Sequence, residues 1–99
     1  MIPFTTPKHT FNLGFSASLI SDARIVYKQN GEIVLEKSLA DCEKSGNSLI
    51  LKLTQNETGL FRNNMKVAVQ VHLKTSEGEV LATKPKRIDV DEILKPEVL

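Results

Sequence analysis

Residues 65–74, MKVAVQVHLK, alternate strictly between aliphatic side chains and polar or small ones, and this alternation constrains the fold most strongly. The aliphatic side chains are Val67, Val69, Val71 and Leu73. A period of two places successive side chains on opposite faces of a sheet. Three of these four residues are β-branched, which favours a strand. We therefore predict a central strand with these side chains in the core, while Gln70 and His72 face water or a partner.

A second feature, Asn30-Gly31, predicts a β-hairpin. It lies between residues 23–29, ARIVYKQ, and residues 32–38, EIVLEKS, which both have strand-like composition. A type I′ turn needs positive φ at both central residues, and Asn-Gly is the pair that adopts it most readily.

Further strand-like runs occupy residues 8–14, 48–54, 79–83 and 86–90, with a short polar segment around Asp41–Lys44. Thr54 and Glu57 have the spacing of a capping box, which predicts one helical turn that Gly59 ends. About seven short strands with turn residues between them predict an all-β fold, and we favour an immunoglobulin-like antiparallel sandwich. Residues 1–99 would form one domain with an extended N-terminal arm (1–7) and a C-terminal tail (91–99).

Composition weighs against several function classes. The 99 residues include 13 Lys and Arg and 12 Asp and Glu, which give a net charge of +1. This balance argues against general nucleic-acid binding, which needs a concentrated basic surface. The apolar runs are far shorter than the roughly 20 residues that cross a bilayer. The N-terminus resembles no secretory signal. We expect a cytoplasmic protein without nucleic-acid or membrane partners, with virion association as an alternative.

The candidate catalytic and metal-ligating residues are few. Cys42, the single cysteine, lies between two acids that would raise its pKa, and His9 and His72 are the only imidazoles. A zinc site needs such groups to converge with further ligands, and their spacing does not indicate convergence. The acids at 77 and 79 and at 91 and 92 are typical of solvated turns. We therefore expect no enzyme activity, no metal, no cofactor and no small-molecule substrate.

The C-terminal tail is the strongest candidate for docking to another protein. Residues 89–99 carry four acids and one lysine, which give a net charge of −3. The acids are Asp89, Asp91, Glu92 and Glu97, and the lysine is Lys95. The predicted docking residues of the tail are Ile93, Leu94, Val98 and Leu99, and those of the arm are Pro3 and Phe4. Aliphatic side chains are costly to leave in water, so we expect the tail to dock onto a neighbouring subunit or a partner. The alternative is a tail folded back over the open end of its own sandwich.

Four segments together resemble a small protein from the tail-gene regions of prophages of Gram-positive bacteria. They are TPKHTFNLGFSASLI, RIVYKQNGEIVLEK, LILKLTQNETGLF and VDEILKPEVL. The layout is also similar to the N-terminal β domains of upper baseplate proteins in such phages. The resemblance implies a non-enzymatic virion or assembly component that binds protein or itself, as a homo-oligomer or as part of the virion. It assigns no functional residue.

A second class of function remains open at this point. Sandwich domains often bind ligands on a solvated sheet face, so the chain would also suit a free-standing module that binds a carbohydrate or a peptide. Carbohydrate sites usually present exposed aromatic rings, and this chain has no Trp and one Tyr. A small enzyme is the third and least favoured class.

Overall fold

A computed structural model describes residues 1–99 as two antiparallel β-sheets. The three-stranded sheet consists of β1 (Lys8–Asn12), β4 (Cys42–Ser45) and β5 (Ser48–Lys52). The five-stranded sheet consists of β2 (Ile20–Gln29), β3 (Glu32–Ser38), β6 (Val67–Thr75), β7 (Val80–Ala82) and β8 (Lys86–Ile88). The helical elements are α1 (Gln55–Thr58) and 3₁₀ turns at Ala17–Leu19 and Leu39–Asp41. The prediction of an all-β sandwich is confirmed.

The strand order is that of an immunoglobulin-type sandwich without its first strand. The two sheets have the orders β1-β5-β4 and β3-β2-β6-β7, and β8 also pairs with β6. Hairpins join β2 to β3, β4 to β5 and β6 to β7. The segment between β7 and β8 stays within the five-stranded sheet, and the remaining connections cross between sheets. These pairings correspond to strands B-E-D and C′-C-F-G of that architecture. With no strand A beside it, β1 is an edge strand.

The core lies between the sheets and contains the side chains that the alternation predicted. Val67, Val69, Val71 and Leu73 are all buried, whereas His72 is exposed. Strand β2 contributes Ile25 and Tyr27, and β5 contributes Leu49 and Leu51. Because β6 pairs with β2 on one side and with β7 and β8 on the other, it is central in its sheet. This confirms the predicted register of residues 65–74.

The two predicted local motifs are present. Asn30 and Gly31 have φ values of 50° and 77°, as the hairpin turn requires. The Thr54 hydroxyl accepts from the Glu57 backbone N–H, and the Glu57 carboxylate accepts from the Thr54 N–H. The helical turn ends at Gly59. None of the helices has the length and apolar character that spanning a bilayer requires.

The structure has eight strands, one more than the approximate count expected from sequence. The additional strand is β4, which the sequence presented as a short polar segment. It pairs only with β5 and its last three residues are exposed, so it carries no apolar alternation. Pro85 lies between β7 and β8, which pair with different parts of β6. A proline there cannot donate to the ladder, so the strand is divided.

Residues 1–7 lie against the domain. Pro3 is fully buried, and the Thr5 N–H donates to the hydroxyl of Thr58, which in turn donates to the Thr5 carbonyl at 2.8 Å. The carbonyl of Pro7 accepts from the Leu53 N–H, which extends the pairing of β1 with β5. The segment thus closes the end of the core near α1.

Candidate functional site

The solvent-facing side of the five-stranded sheet presents the side chains that alternate with the core. The register pairs Arg24 with His72, Val26 with Gln70, and Lys28 with Ala68. Side chains directly opposite one another on antiparallel strands point to the same face. Since Tyr27 and Val69 point into the core between these pairs, all six side chains share the outer face.

A shallow depression of about 600 Å³ lies on this face, and we call it the outer depression. Its apolar lining consists of Val26, Ile33, Ala68, Ala82 and Pro85. The methyl groups of Ala68 and Ala82 fill little space between longer neighbours, which leaves the surface recessed. Ile33 is 57% exposed, although it belongs to the same lining. Apolar surface is therefore accessible on the outer face of this sheet.

The irregular backbone between β7 and β8 forms one side of the outer depression. The Thr83 hydroxyl accepts from the Val71 N–H at 3.0 Å, and the Thr83 carbonyl accepts from the side-chain amide of Gln70 at 2.9 Å. These bonds hold Gln70 and bring Pro85 into the lining. The strand interruption at Pro85 therefore contributes to the shape of the face.

The polar lining has more positive than negative charge. It consists of Arg24, Lys28, Glu36, Gln70 and His72. Arg24 forms an ion pair with Asp22 at 2.7 Å, whereas Lys28 has no ion-pair partner. Arg87 lies opposite Ala68 on β8 and adds a further cation without a partner. Together, apolar lining and free cations suit a ligand that carries both aliphatic groups and carboxylates.

The predicted docking residues of the tail lie away from the outer depression. Leu94 and Leu99 are 93% and 96% exposed, Val98 is 51% exposed, and Ile93 is half-buried. The side chain of Gln55 bonds both the N–H and the carbonyl of Leu99. The tail therefore touches its own domain beside α1 while most of its aliphatic surface faces water.

The predicted docking residues of the arm differ from each other. Pro3 is buried, and Phe4 is half-buried with its ring against Gly59. Only Phe4 of this pair presents surface to a partner. The backbone N–H of Asp91 donates to the Met1 carbonyl at 2.8 Å, so arm and tail meet at one end of the sandwich.

The remaining titratable candidates form no metal-ligand cluster. The two imidazoles lie in different places: His9 faces the core from β1, while His72 is on the outer face. Burial lowers the pKa of His9 and raises the pKa of the half-buried Cys42 thiol. The Cys42 Sγ lies 3.6 Å from the Ser38 carbonyl. No group of three His, Cys, Asp or Glu side chains is placed to hold a metal ion.

The sequence predicted that Gln70 and His72 face water or a partner, but it did not show the apolar lining beside them. Val26, Ala68 and Ala82 come from three strands, and nothing in one strand's pattern shows that they adjoin. Pairing residues 23–29 with 65–74 in antiparallel register would have revealed Val26 and Ala68 on one face. Comparisons of the chain with protein-family models, curated proteins and solved structures gave no match, so the outer depression is interpreted from its own geometry.

Proposed function

We propose that this protein is a non-enzymatic structural or assembly component of the phage type that acts by docking to protein. The observation that supports docking is the outer depression, where apolar surface lies beside unpaired cations. Protein interfaces commonly combine an apolar centre with polar and charged surroundings. The phage assignment follows the sequence resemblance, with the protein acting in the cytoplasm of the producing cell or within the particle.

The proposed occupant of the outer depression is the tail of a neighbouring copy, residues 91–99. This segment carries Asp91, Glu92 and Glu97 together with exposed aliphatic side chains. Its carboxylates complement Lys28 and Arg87, and its aliphatic groups match the apolar lining. In its own domain the tail leaves Leu94 almost fully exposed, so docking would remove that surface from water.

A labelled peptide of residues 89–99, titrated with the full chain, tests this interface by fluorescence anisotropy. We expect saturable binding that weakens as salt rises, because part of the attraction is between charges. Ala68→Glu places a bulky carboxylate in the apolar lining beside the acidic peptide and should abolish binding. The control Glu43→Gln changes an exposed charge on the other sheet and should leave binding intact. A peptide that does not bind, or that binds Ala68→Glu equally well, contradicts this docking mode.

The phage assignment has a separate test. Particles and tail-assembly intermediates purified from an induced lysate are analysed by mass spectrometry for peptides of this chain. Finding them in either fraction supports the proposal, and their absence from both refutes it. The order of genes around the reading frame provides an independent check.

The second candidate function is a free-standing module that binds a peptide. The accessible apolar surface of the outer depression favours this alternative, since an extended peptide from another protein would contact the same surface. Its lining contains no phenyl, phenol or indole ring on which a sugar could stack, so the carbohydrate version has less support. Binding of unrelated acidic peptides as tightly as residues 89–99 would favour the peptide module over self-assembly.

A further inference from the structure

We propose that the free edge of β1 pairs with the same edge of a second copy, which joins two three-stranded sheets into one continuous sheet. This interface is independent of the outer depression and of the phage assignment. It follows from the absence of a strand beside β1, the position that strand A occupies in the related architecture.

The direction of the backbone groups on β1 follows from two flanking hydrogen bonds. The Leu53 N–H donates to the Pro7 carbonyl, and the Leu13 N–H donates to the Asn47 carbonyl. Hydrogen-bonded positions alternate along an antiparallel ladder, so the odd-numbered residues between 7 and 13 bond β5. The N–H and C=O groups of Lys8, Thr10 and Asn12 therefore point outward along the free edge, and all three residues are exposed.

The core beside this edge is incompletely covered. Phe11 on β1 and Leu13, which directly follows the strand, have the parity of the inward-facing residues but are only half-buried, as is Phe15. On the facing sheet, Leu81 lies opposite the buried Leu73 and is still 41% exposed. An additional strand along β1 would cover this line of apolar side chains.

The edge is complementary to itself. An antiparallel pair centred on Thr10 places Thr10 opposite Thr10 of the second copy and Lys8 opposite its Asn12. The three pairs would form about six backbone hydrogen bonds. No like charges face one another, and Thr–Thr pairs are favourable across strands. A contact in which the same patch meets itself is the usual geometry of a two-fold dimer.

The other outermost strands, which are β3, β4 and the pair β7 and β8, are better protected against such pairing. Strands β7 and β8 are three residues long each, and Pro85 lies between them. Strand β3 carries Glu32, Glu36 and Lys37, and its pairing with β2 contains a register shift. Strand β4 is four residues long and carries Glu43 and Lys44. Charges, short length and irregular pairing are the features that keep edge strands from associating. In β1 the only Lys, Arg, Asp or Glu is Lys8, at one end.

Sedimentation across a concentration series tests the dimer. We expect a reversible dimer for the natural chain and for Thr10→Ala, which keeps the backbone donors and introduces no charge. Thr10→Lys places two cations opposite each other at the two-fold axis and should weaken the dimer at least about tenfold. Circular dichroism confirms that both variants are folded.

Disulfide trapping tests the register without depending on the Thr10→Lys variant. In a Cys42→Ser background, Thr10→Cys should form a covalent dimer on oxidation, since the two Cα atoms would lie about 5.5 Å apart. The matched control is Lys52→Cys in the same background. Lys52 lies on β5, one strand farther from the two-fold axis in each copy, so this variant should not cross-link.

Three outcomes would overturn the proposal. They are a natural chain that stays monomeric, a dimer that Thr10→Lys leaves intact, and a Thr10→Cys variant that cross-links no better than the Lys52→Cys control. A dimer that survives Thr10→Lys but dissociates on deletion of residues 92–99 would place the contact at the tail. If the chain is monomeric but binds an added extended peptide at Thr10, the free edge of β1 pairs with another protein and not with a second copy.

Discussion

The Nδ1 atom of His9 lies 2.7 Å from the phenolic oxygen of Tyr27, and this hydrogen bond joins the two sheets. His9 lies on the edge strand β1, while Tyr27 is fully buried on β2. Burial lowers the pKa of His9 and raises the pKa of Tyr27. Both shifts favour the uncharged side chain, so the pair is neutral at neutral pH.

Lowering the pH should destabilise the fold through His9. Its folded-state pKa lies below the ordinary value of 6.5, so the unfolded chain binds the proton more readily. The free energy of unfolding should therefore fall as the pH drops from above 6.5 towards the folded-state pKa. Urea melts at pH 7.5, 6.5 and 5.5 measure this decline.

His9→Gln removes the titrating group and should flatten the pH dependence in that range. His72→Gln, on the exposed outer face, should retain the pH dependence of the natural chain. If His9→Gln and the natural chain lose stability in parallel, His9 does not cause the effect.

Val69→Asp should be among the most damaging substitutions in the chain. Val69 is 2% exposed on the central strand β6, so the variant buries a carboxylate without a partner. We expect a loss of several kcal/mol in the free energy of unfolding, whereas His72→Ala should cost little. Comparable urea midpoints for the two variants would contradict the observed register.

Gln29 should be needed to hold the loop before β6. It is 3% exposed, its amide donates to the carbonyls of Arg62 and Met65 at 3.0 and 3.1 Å, and its oxygen accepts from the Arg62 N–H at 2.7 Å. Gln29→Leu leaves these backbone groups without partners and should cost about 3 kcal/mol. Gln55→Leu, which loses only bonds to the exposed Leu99, is the control and should change stability by under about 0.5 kcal/mol.

Gly59→Ala should destabilise the chain through contact with Phe4 and not through its backbone. Gly59 has a φ of −65°, which any residue adopts, but a Cβ there would lie 2.6 Å from Cε1 of Phe4. We expect a loss of about 1–3 kcal/mol. Melts in a Phe4→Ala background provide the test, since the same substitution should be neutral or mildly stabilising there. If Gly59→Ala lowers the free energy of unfolding as much in the Phe4→Ala background as in the natural chain, contact with Phe4 is not the cause.

The elements predicted with success are those whose causes are local. Asn30-Gly31 adopts its turn because of its own backbone preferences, and Thr54 with Glu57 caps α1 through contacts three residues apart. The register of 65–74 followed from one buried face. Strand β4 was missed for the converse reason. It exists because β5 offers an unpaired edge, and its exposed residues show no periodicity.

The candidate surfaces depend on pairings that no single segment encodes. The outer depression needs Val26, Ala68 and Ala82 to come together from β2, β6 and β7. The burial of Pro3 depends on the packing of residues 1–7 against the far end of the chain and α1. The His9–Tyr27 bond likewise requires one sheet to pack on the other.

The sequence by itself determined a β-sandwich, the hairpin, the capped turn and the inward face of the central strand, because periodicity and turn chemistry act over a few residues. Only the tertiary structure decided which strands are neighbours, that β1 has a free edge, and that Ala68 lies within an apolar depression beside free cations. Those properties arise from contacts between residues distant in the chain. Hydrophobic burial favours the arrangement that buries the most apolar area with complementary shapes. That arrangement depends on all the strands together, so no single segment of the sequence predicts it.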